Sequence, residues 1–295
     1  MNRIDLVKTL AAVIIGIVAT FASTMAMAQQ NSTPSKIVAI GGSLTEIVYA
    51  LGEEKRLVGR DSTSVYPLAA LKLPDAGYIR ALSPEGILSL NPDLILMLDG
   101  AGPPAALETL KAAGVPMVMI PDGYDEASIA RKVEAVGKVL GVEQKAHLLA
   151  NHISAELQAA LAANNGQPQK ARVLFILSLQ NGKVMAAGGQ NHADGIVKLA
   201  GGDNVMTSIT GYKQVSDEAI INAAPDAIVI MSGAGGHAVD DQTLFNIPAI
   251  AATPAGKARR VIRLDGMTML GFGPRTAEAV TALHAALYPA AAKTK

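Results

Sequence analysis

Hydrophobic positions change period along this chain, and the changes divide it. From Lys36 to Ile120, short unbroken apolar runs alternate with amphipathic stretches. Lys36–Ile40 reads as a strand ending at Gly41-Gly42, after which Ser43 can cap a helix that runs through Leu51 and stops at Gly52. Leu57–Gly59 predicts a second strand, Asp61–Leu73 a polar turn with a short helix, and Pro84–Leu90 a helix closed by Asn91-Pro92. Leu94–Leu98 then predicts a buried strand, Pro104–Ala113 a helix and Val115–Ile120 another strand. Strands that are apolar throughout, separated by helices, imply a parallel sheet covered on both faces.

Between Asp125 and about Asn164 the period becomes helical. Ile129, Val133, Val136 and Val139, then Leu148, Leu149, Ile153, Leu157 and Leu161, mark one face, and Gly141 divides the segment in two. Beyond it, Ala171–Ser178, Val184–Ala187, Ala227–Ile230 and Arg260–Leu264 predict strands, and Thr276–Tyr288 a closing helix. Two stretches recur. Lys36–Gly42 resembles Lys183–Gly189, and Ser83–Asp93 resembles Ser216–Asp226, with Ser, Glu, Pro and Asp at the same spacing and an apolar run after each Asp. The expected fold is therefore α/β, with two Rossmann-like lobes built on parallel sheets and joined by a long helical segment. The boundaries fall at 29–124 for the amino-terminal lobe, 125–166 for the connector and 167–295 for the carboxy-terminal lobe. A helical connector of this length is semi-rigid, so large hinge closure is not expected, and paired lobes leave a cleft suited to a small ligand.

Residues 1–28 read as a signal peptide. Arg3 and Lys8 precede an apolar run from Leu10 to Phe21, too short to span a bilayer, and Ala26-Met27-Ala28 has the small-x-small form of a cleavage site. The mature chain is expected to be exported and soluble, and the absence of Cys suits an oxidising compartment while excluding thiolate chemistry. Formal net charge is zero and no run of like charge occurs, so no nucleic-acid or anionic-membrane surface is marked. With 3% aromatic residues and no Trp, a stacking platform for sugars or bases is not indicated. No nucleophile elbow, P-loop, His-Glu-x-x-His or dinucleotide fingerprint is present, and enzyme activity is not expected.

In open parallel sheets, ligands sit in the loops beyond the carboxyl ends of the strands. Here those loops are Gly41–Thr45, Arg60–Arg80, Asp99–Pro104, Gly188–Gly195, Ile209–Lys213, Ser232–Asp241 and Asp265–Arg275. Gly77-Tyr78-Ile79-Arg80 and Gly211-Tyr212-Lys213 correspond through the repeat, so each lobe offers a Tyr and a cation to the gap. Over essentially the whole mature chain, Ile40–Ile47, Arg60-Asp-Ser-Thr-Ser64, Leu73–Ser83, Pro84–Leu88 and Gly271-Phe-Gly-Pro-Arg275 resemble the periplasmic haem-binding proteins of bacterial haem ABC importers. These belong to the class III periplasmic binding proteins, whose relatives bind ferric siderophores and cobalamin.

That resemblance implies a ligand, ferric haem (hemin), and roles for particular residues. Tyr78 is the implied iron ligand, a hard anionic oxygen donor suited to ferric iron, with Arg80 placed to favour ionisation of a phenol that would otherwise stay protonated. Tyr212 and Lys213 are implied to serve the porphyrin face and a propionate. His192, at a strand-to-helix turn, is a candidate for a sixth ligand or a second haem, and His237 a lesser one. The Arg common early in the 232–237 loop of the family is missing, so its role does not carry over. His147, His152 and His284 lie on expected helices and should face solvent. Glu85 and Glu218, in the first turns of corresponding helices, are implied to dock on the paired subunits of an inner-membrane ABC permease with its ATPase subunits, the carrier itself acting as a monomer. Ferric siderophore or cobalamin binding by the same architecture is the alternative.

Overall fold

The computed structural model describes residues 33–164, 169–180, 182–232 and 239–289. The expected leader, its cleavage point and His237 lie outside them. Four strands, β1 (Ile37–Ile40), β2 (Leu57–Arg60), β5 (Leu94–Leu98) and β6 (Met117–Ile120), pair in the order β2-β1-β5-β6, all parallel. Every residue of β1 and β5 is buried, as their unbroken apolar runs require. Alternate residues enter different cores. Ile37, Ala39, Leu94 and Leu96 pack with helix α1 (Gly42–Ala50) and with Ile129 and Val133 of α4 (Glu126–Leu140). Val38, Ile40, Ile95 and Met97 pack with Ile87 of α2 (Pro84–Leu88) and Leu110 of α3 (Pro104–Ala112).

The second sheet runs β10-β8-β7-β11-β12, formed by β7 (Arg172–Gln180), β8 (Lys183–Ala187), β10 (Tyr212–Gln214), β11 (Ala227–Ser232) and β12 (Val261–Asp265), with β9 (Asp203–Asn204) beside β7. It is parallel across β9, β7, β11 and β12. β8 is antiparallel to β7, and β10 is antiparallel to β8, so the expectation of a wholly parallel sheet holds for the first half alone. The reason is local: Gln180 at the end of β7 pairs directly with Lys183 at the start of β8, so the chain returns beside the strand it has just left. Val173, Phe175, Ala227 and Val229 share the core cluster that holds β1 and β5, while Leu174, Ile176, Ile228 and Ile230 form a satellite of their own. One hydrophobic core therefore spans both sheets, and Ser35–Lys295 forms a single compact unit.

The connecting segment is two helices. Asp125 caps α4 by accepting from Ser128 N at 2.7 Å, and Gly141, at φ 70°, ends it in the left-handed conformation. α5 (Glu143–Ala163) then packs along α4 and on the final helix α12 (Thr276–Leu287). A Cβ added to Gly137 would sit 2.0 Å from that of Ala146, so the first turn of α5 lies directly on the last turn of α4.

The Ser-to-Asp repeat is repeated in three dimensions. Ser83 caps α2 by accepting from Gly86 N at 3.1 Å, and Ser216 caps α7 (Asp217–Ala223) by accepting from Ala219 N at 3.2 Å. The Asp that ends each repeat ties down the neighbouring strand: Asp93 accepts from Lys36 N at 2.9 Å and Asp226 from Arg172 N at 3.0 Å. By this criterion the counterpart of β1 is β7, and the likeness of Lys36–Gly42 to Lys183–Gly189 does not mark equivalent strands. Ser43 also differs from its expected role. Gly41 takes the cap position at φ 123°, and Ser43 is buried inside α1.

Candidate functional site

Both sheets end on one cavity of about 560 Å³. Its lining includes Gly41–Ser43, Thr63, Tyr78, Arg80 and Asp99 from the first half, Asp122 from the β6–α4 loop, and His192, Tyr212, Ser232 and Asp265–Met267 from the second. With the exception of Asp122 and a few strand-terminal residues, these come from the loops that the sequence placed at the carboxyl ends of the strands.

The first wall is assembled around one buried carboxylate. Asp61 is fully buried; its Oδ1 accepts from Gly41 N at 3.0 Å and Ser64 Oγ at 2.7 Å, and its Oδ2 from Thr63 N at 3.1 Å and Thr63 Oγ1 at 2.6 Å. The Asp-Ser-Thr-Ser motif thus folds on itself and locks the end of β1. Gly41 must be glycine: besides its positive φ, a Cβ would meet Leu98 Cδ1 at 2.6 Å. The next residue along, Ser62, donates its N–H to Gly77 O at 2.9 Å. That bond anchors a small hairpin of β3 (Gly77–Tyr78) and β4 (Ala81–Leu82), on which Tyr78 stands 47% exposed at the cavity. Arg80 lines the same cavity and donates Nη1 to Gly100 O at 2.9 Å.

Tyr212, its counterpart by sequence, is placed differently. It lines the cavity from edge strand β10, largely buried, with its hydroxyl at the Ala193 amide. Burial pushes its phenol up to about 12, outweighing the Ala193 amide and the Arg80 charge, so it keeps its proton. Lys213, the next residue on the strand, is exposed and is not among the lining residues. Strand alternation turns it to the opposite face from Tyr212.

His192 begins α6 (His192–Leu199), which Asn191 caps by accepting from Asp194 N at 3.1 Å. Its ring meets Phe272 edge-on at 5.2 Å and Tyr124 at 6.3 Å between centroids. Its Nε2 lies 3.0 Å from Asp122 Oδ2, an ion-pair distance, although the angle falls outside hydrogen-bond alignment and leaves that buried nitrogen without an aligned bond. Asp122 Oδ1 is held by Lys132 Nζ at 2.7 Å. Lys132 is fully buried, and its ammonium also reaches Gly271 O at 3.2 Å and Phe272 O at 3.1 Å. Burial raises the Asp122 carboxyl, but the His192 contact and the Lys132 charge outweigh it and hold the group well below the usual carboxylate range. Burial pulls the Lys132 ammonium below its ordinary value, with Asp122 opposing.

A second ion pair lies behind the cavity. Arg275 forks onto Glu46 of α1, Nη2 to Oε1 at 2.5 Å and Nε to Oε2 at 3.0 Å, donates Nη1 to Thr268 of α11 (Gly266–Leu270) at 2.6 Å, and lies 3.9 Å over the Tyr66 ring. Burial raises the Glu46 carboxyl despite its partner.

The structure thus brings Tyr78, Arg80, Tyr212 and His192 to one cavity. Glu85 and Glu218 are exposed on the capped helices α2 and α7, away from it. His147 and His152 are exposed, but His284 is half-buried, with Nδ1 3.0 Å from Ala200 O and its ring against Tyr288. Among the described residues, no group of three or more His, Asp or Glu is placed to hold a bare metal ion. Sequence reasoning missed Asp122, although the rule that selected the other loops applies equally to the end of β6. It missed Lys132 too, a charge written into the buried face of α4 beside Val133.

The ends of both sheets line one cleft of a size that suits a small ligand. The family model described as Periplasmic binding protein matches residues 37–268, and the chain belongs to that family, whose members are substrate-binding components of transport. Its structure is similar to that of the periplasmic heme-binding protein BhuT in complex with two hemes, with a TM-score of 0.80 and 39% identity, covering 85% of this chain and 97% of that one. By sequence it is 28% identical to the uncharacterized ABC transporter substrate-binding lipoprotein YvrC of Bacillus subtilis (strain 168), over 87% of this chain and 81% of that protein. It is also 28% identical to a vitamin B12-binding protein of Vibrio parahaemolyticus, over 76% of this chain and 78% of that protein.

Proposed function

We propose that this protein captures ferric haem in the cleft and hands it to an ABC transporter of the inner membrane. The observation that carries the reading is Tyr78: a half-exposed phenol, on a hairpin fixed from behind by the Asp61 knot, facing a cavity that also presents the Arg80 guanidinium. A phenolate is the hard oxygen donor that ferric iron prefers, and an adjacent cation favours the ionised form. Tyr212, which keeps its proton, contributes an apolar ring and no charge. The likeness to BhuT, at higher identity and fuller coverage than the likeness to the vitamin B12-binding protein, supports haem over cobalamin.

His192 offers a nitrogen donor on the opposite wall, which makes a second coordination, or a second haem as in BhuT, part of the same reading. Reversible capture needs no chemical step, so the protein acts as a carrier and not as an enzyme. Glu85 and Glu218 dock the loaded carrier on the two membrane subunits. They occupy the same position in two Ser-capped helices, where the helix dipole favours a carboxylate, and both are exposed. Residues 1–28 direct export to the periplasm and are removed there.

Hemin titration followed by visible absorption tests the cargo. We expect a saturable Soret shift and the charge-transfer band of phenolate-ligated ferric haem; Tyr78→Phe and Tyr78→Ala should lose that band and bind hemin more weakly. Full affinity in both variants would reject the ligand assignment, and displacement of hemin by stoichiometric cyanocobalamin would favour the alternative cargo. Charge reversal of Glu85 and Glu218 should abolish hemin uptake by cells while leaving hemin binding intact.

A further inference from the structure

We propose that Asp122, clamped by the buried Lys132, is a positioning residue for His192: it claims the Nε2 hydrogen, so that Nδ1 is the lone-pair nitrogen offered to the ligand. The inference rests on the haem reading for the identity of that ligand, but the geometry behind it is the protein's own. Asp122 cannot turn away, because one oxygen is 2.7 Å from an ammonium that is itself fully buried and fixed by the Gly271 and Phe272 carbonyls. The other oxygen is left 3.0 Å from His192 Nε2. The ring, for its part, is held edge-on by Phe272 and Tyr124, and among the described residues that line the cavity it is the one imidazole.

Nε2 is buried and without an aligned hydrogen bond, and the fixed carboxylate lies at contact distance from it. A buried N–H left unsatisfied is costly, and a small rotation about the ring bond completes a bond to Asp122 Oδ2. A donor atom whose far side is hydrogen-bonded to a carboxylate is more basic and better oriented, the arrangement that metal-bound imidazoles commonly have. Lys132 has a role the cleft does not display: without it the carboxylate would be free to swing, and the imidazole with it.

The test has two readouts. Long-range nitrogen–proton NMR of the protein before hemin is added, at a pH well above the ordinary imidazole range, reports which ring nitrogen carries the proton; we expect the Nε2–H tautomer for His192 in the wild type and a mixture in Asp122→Asn. Hemin titration in a Tyr78→Phe background isolates the His192 contribution. There Asp122→Asn should weaken the remaining binding by about 10–100-fold, the usual effect of losing an outer hydrogen-bond partner, approaching the His192→Ala level, with Asp122→Glu restoring part of it. If Asp122→Asn fails to fold, the wild-type tautomer and the Lys132→Met/Asp122→Asn double variant, which removes both charges together, decide the matter. An Nδ1–H tautomer in the wild type, or unchanged hemin spectra and affinity in Asp122→Asn, overturns the inference. Wild-type protein that binds no hemin overturns the haem reading instead, and leaves the tautomer result standing.

Discussion

The two halves of the chain write similar sequence into different walls. In the first, a single aspartate with four accepted hydrogen bonds closes the turn after β1, and the tyrosine carried nearby stands half-exposed at the cavity. In the second, the work is shared. Asn191 Nδ2 donates to Gly188 O at 2.9 Å, Asn204 Nδ2 donates to the same carbonyl at 2.9 Å and to Asp194 Oδ1 at 3.1 Å, and the matching tyrosine is drawn inward against the amino end of α6. The inserted hairpin partner β8 is what changes the geometry, because β10 can pair only with its outer edge. The Ser-to-Asp repeat therefore reports which helices correspond, while the depth at which a side chain sits depends on what the neighbouring strand does.

The largest effect is expected at Asp61. Asp61→Ala strands two backbone N–H groups and the Thr63 hydroxyl, while Ser64 keeps Thr45 Oγ1 as a partner at 2.7 Å, and should cost about 3 kcal/mol or more of stability in denaturant titration. Asp194→Ala should cost less, about 1–2 kcal/mol, because the Lys198 side chain beside it is 57% exposed and can turn to water, and Asn204 keeps its carbonyl partners. Equal losses would show that the shared network is as brittle as the single knot.

Next in size is the pair of tyrosines. Tyr78→Phe should reduce hemin affinity by more than about 100-fold, beyond what loss of an outer-shell partner usually does, whereas Tyr212→Phe should change it by less than about 10-fold. Comparable losses would mean that the buried phenol also serves the iron.

Acid should act where the halves meet. Asp122 titrates well below the ordinary carboxylate range, so its contribution to stability is complete above about pH 4 and disappears as pH falls through its lowered value. The denaturant-unfolding midpoint should fall less steeply on acidification in Asp122→Asn than in the wild type. The smallest effect is expected at the caps. Ser83→Ala and Ser216→Ala should each cost about 1 kcal/mol, and similarly, since both hydroxyls accept one amide N–H at nearly the same distance. A marked inequality would show that the two helices are not held alike.

Much of the fold was legible because the relevant signals are local. Leu94–Leu98 is a strand with the predicted bounds, and the alternation of apolar runs with capped helices located the loops that line the cavity. The antiparallel run of β8 was not read, although Asn181-Gly182 announced it, because the apolar strand itself looks the same in either direction. That Tyr78, Arg80, Tyr212 and His192 line the cavity was legible from the motif, the repeat and, for His192, its place at a strand-to-helix turn. Lys132 and Asp122 were not, because a buried pair formed between a helix and the loop before it leaves no periodic trace, only one charge on an otherwise apolar face. Lys213 shows the limit of reading by proximity: adjacent residues on a strand point to opposite sides.

The fork between Arg275 and Glu46 joins positions 229 residues apart, and Phe272, which braces His192, lies within a few residues of it. A chain synthesised amino-terminus first thus holds Tyr78 early but lacks the back of its pocket until residues 265–275 arrive. Loss of that last segment would disable cargo capture at a distance, and an unfinished chain has no completed trap in which to sequester iron porphyrin prematurely.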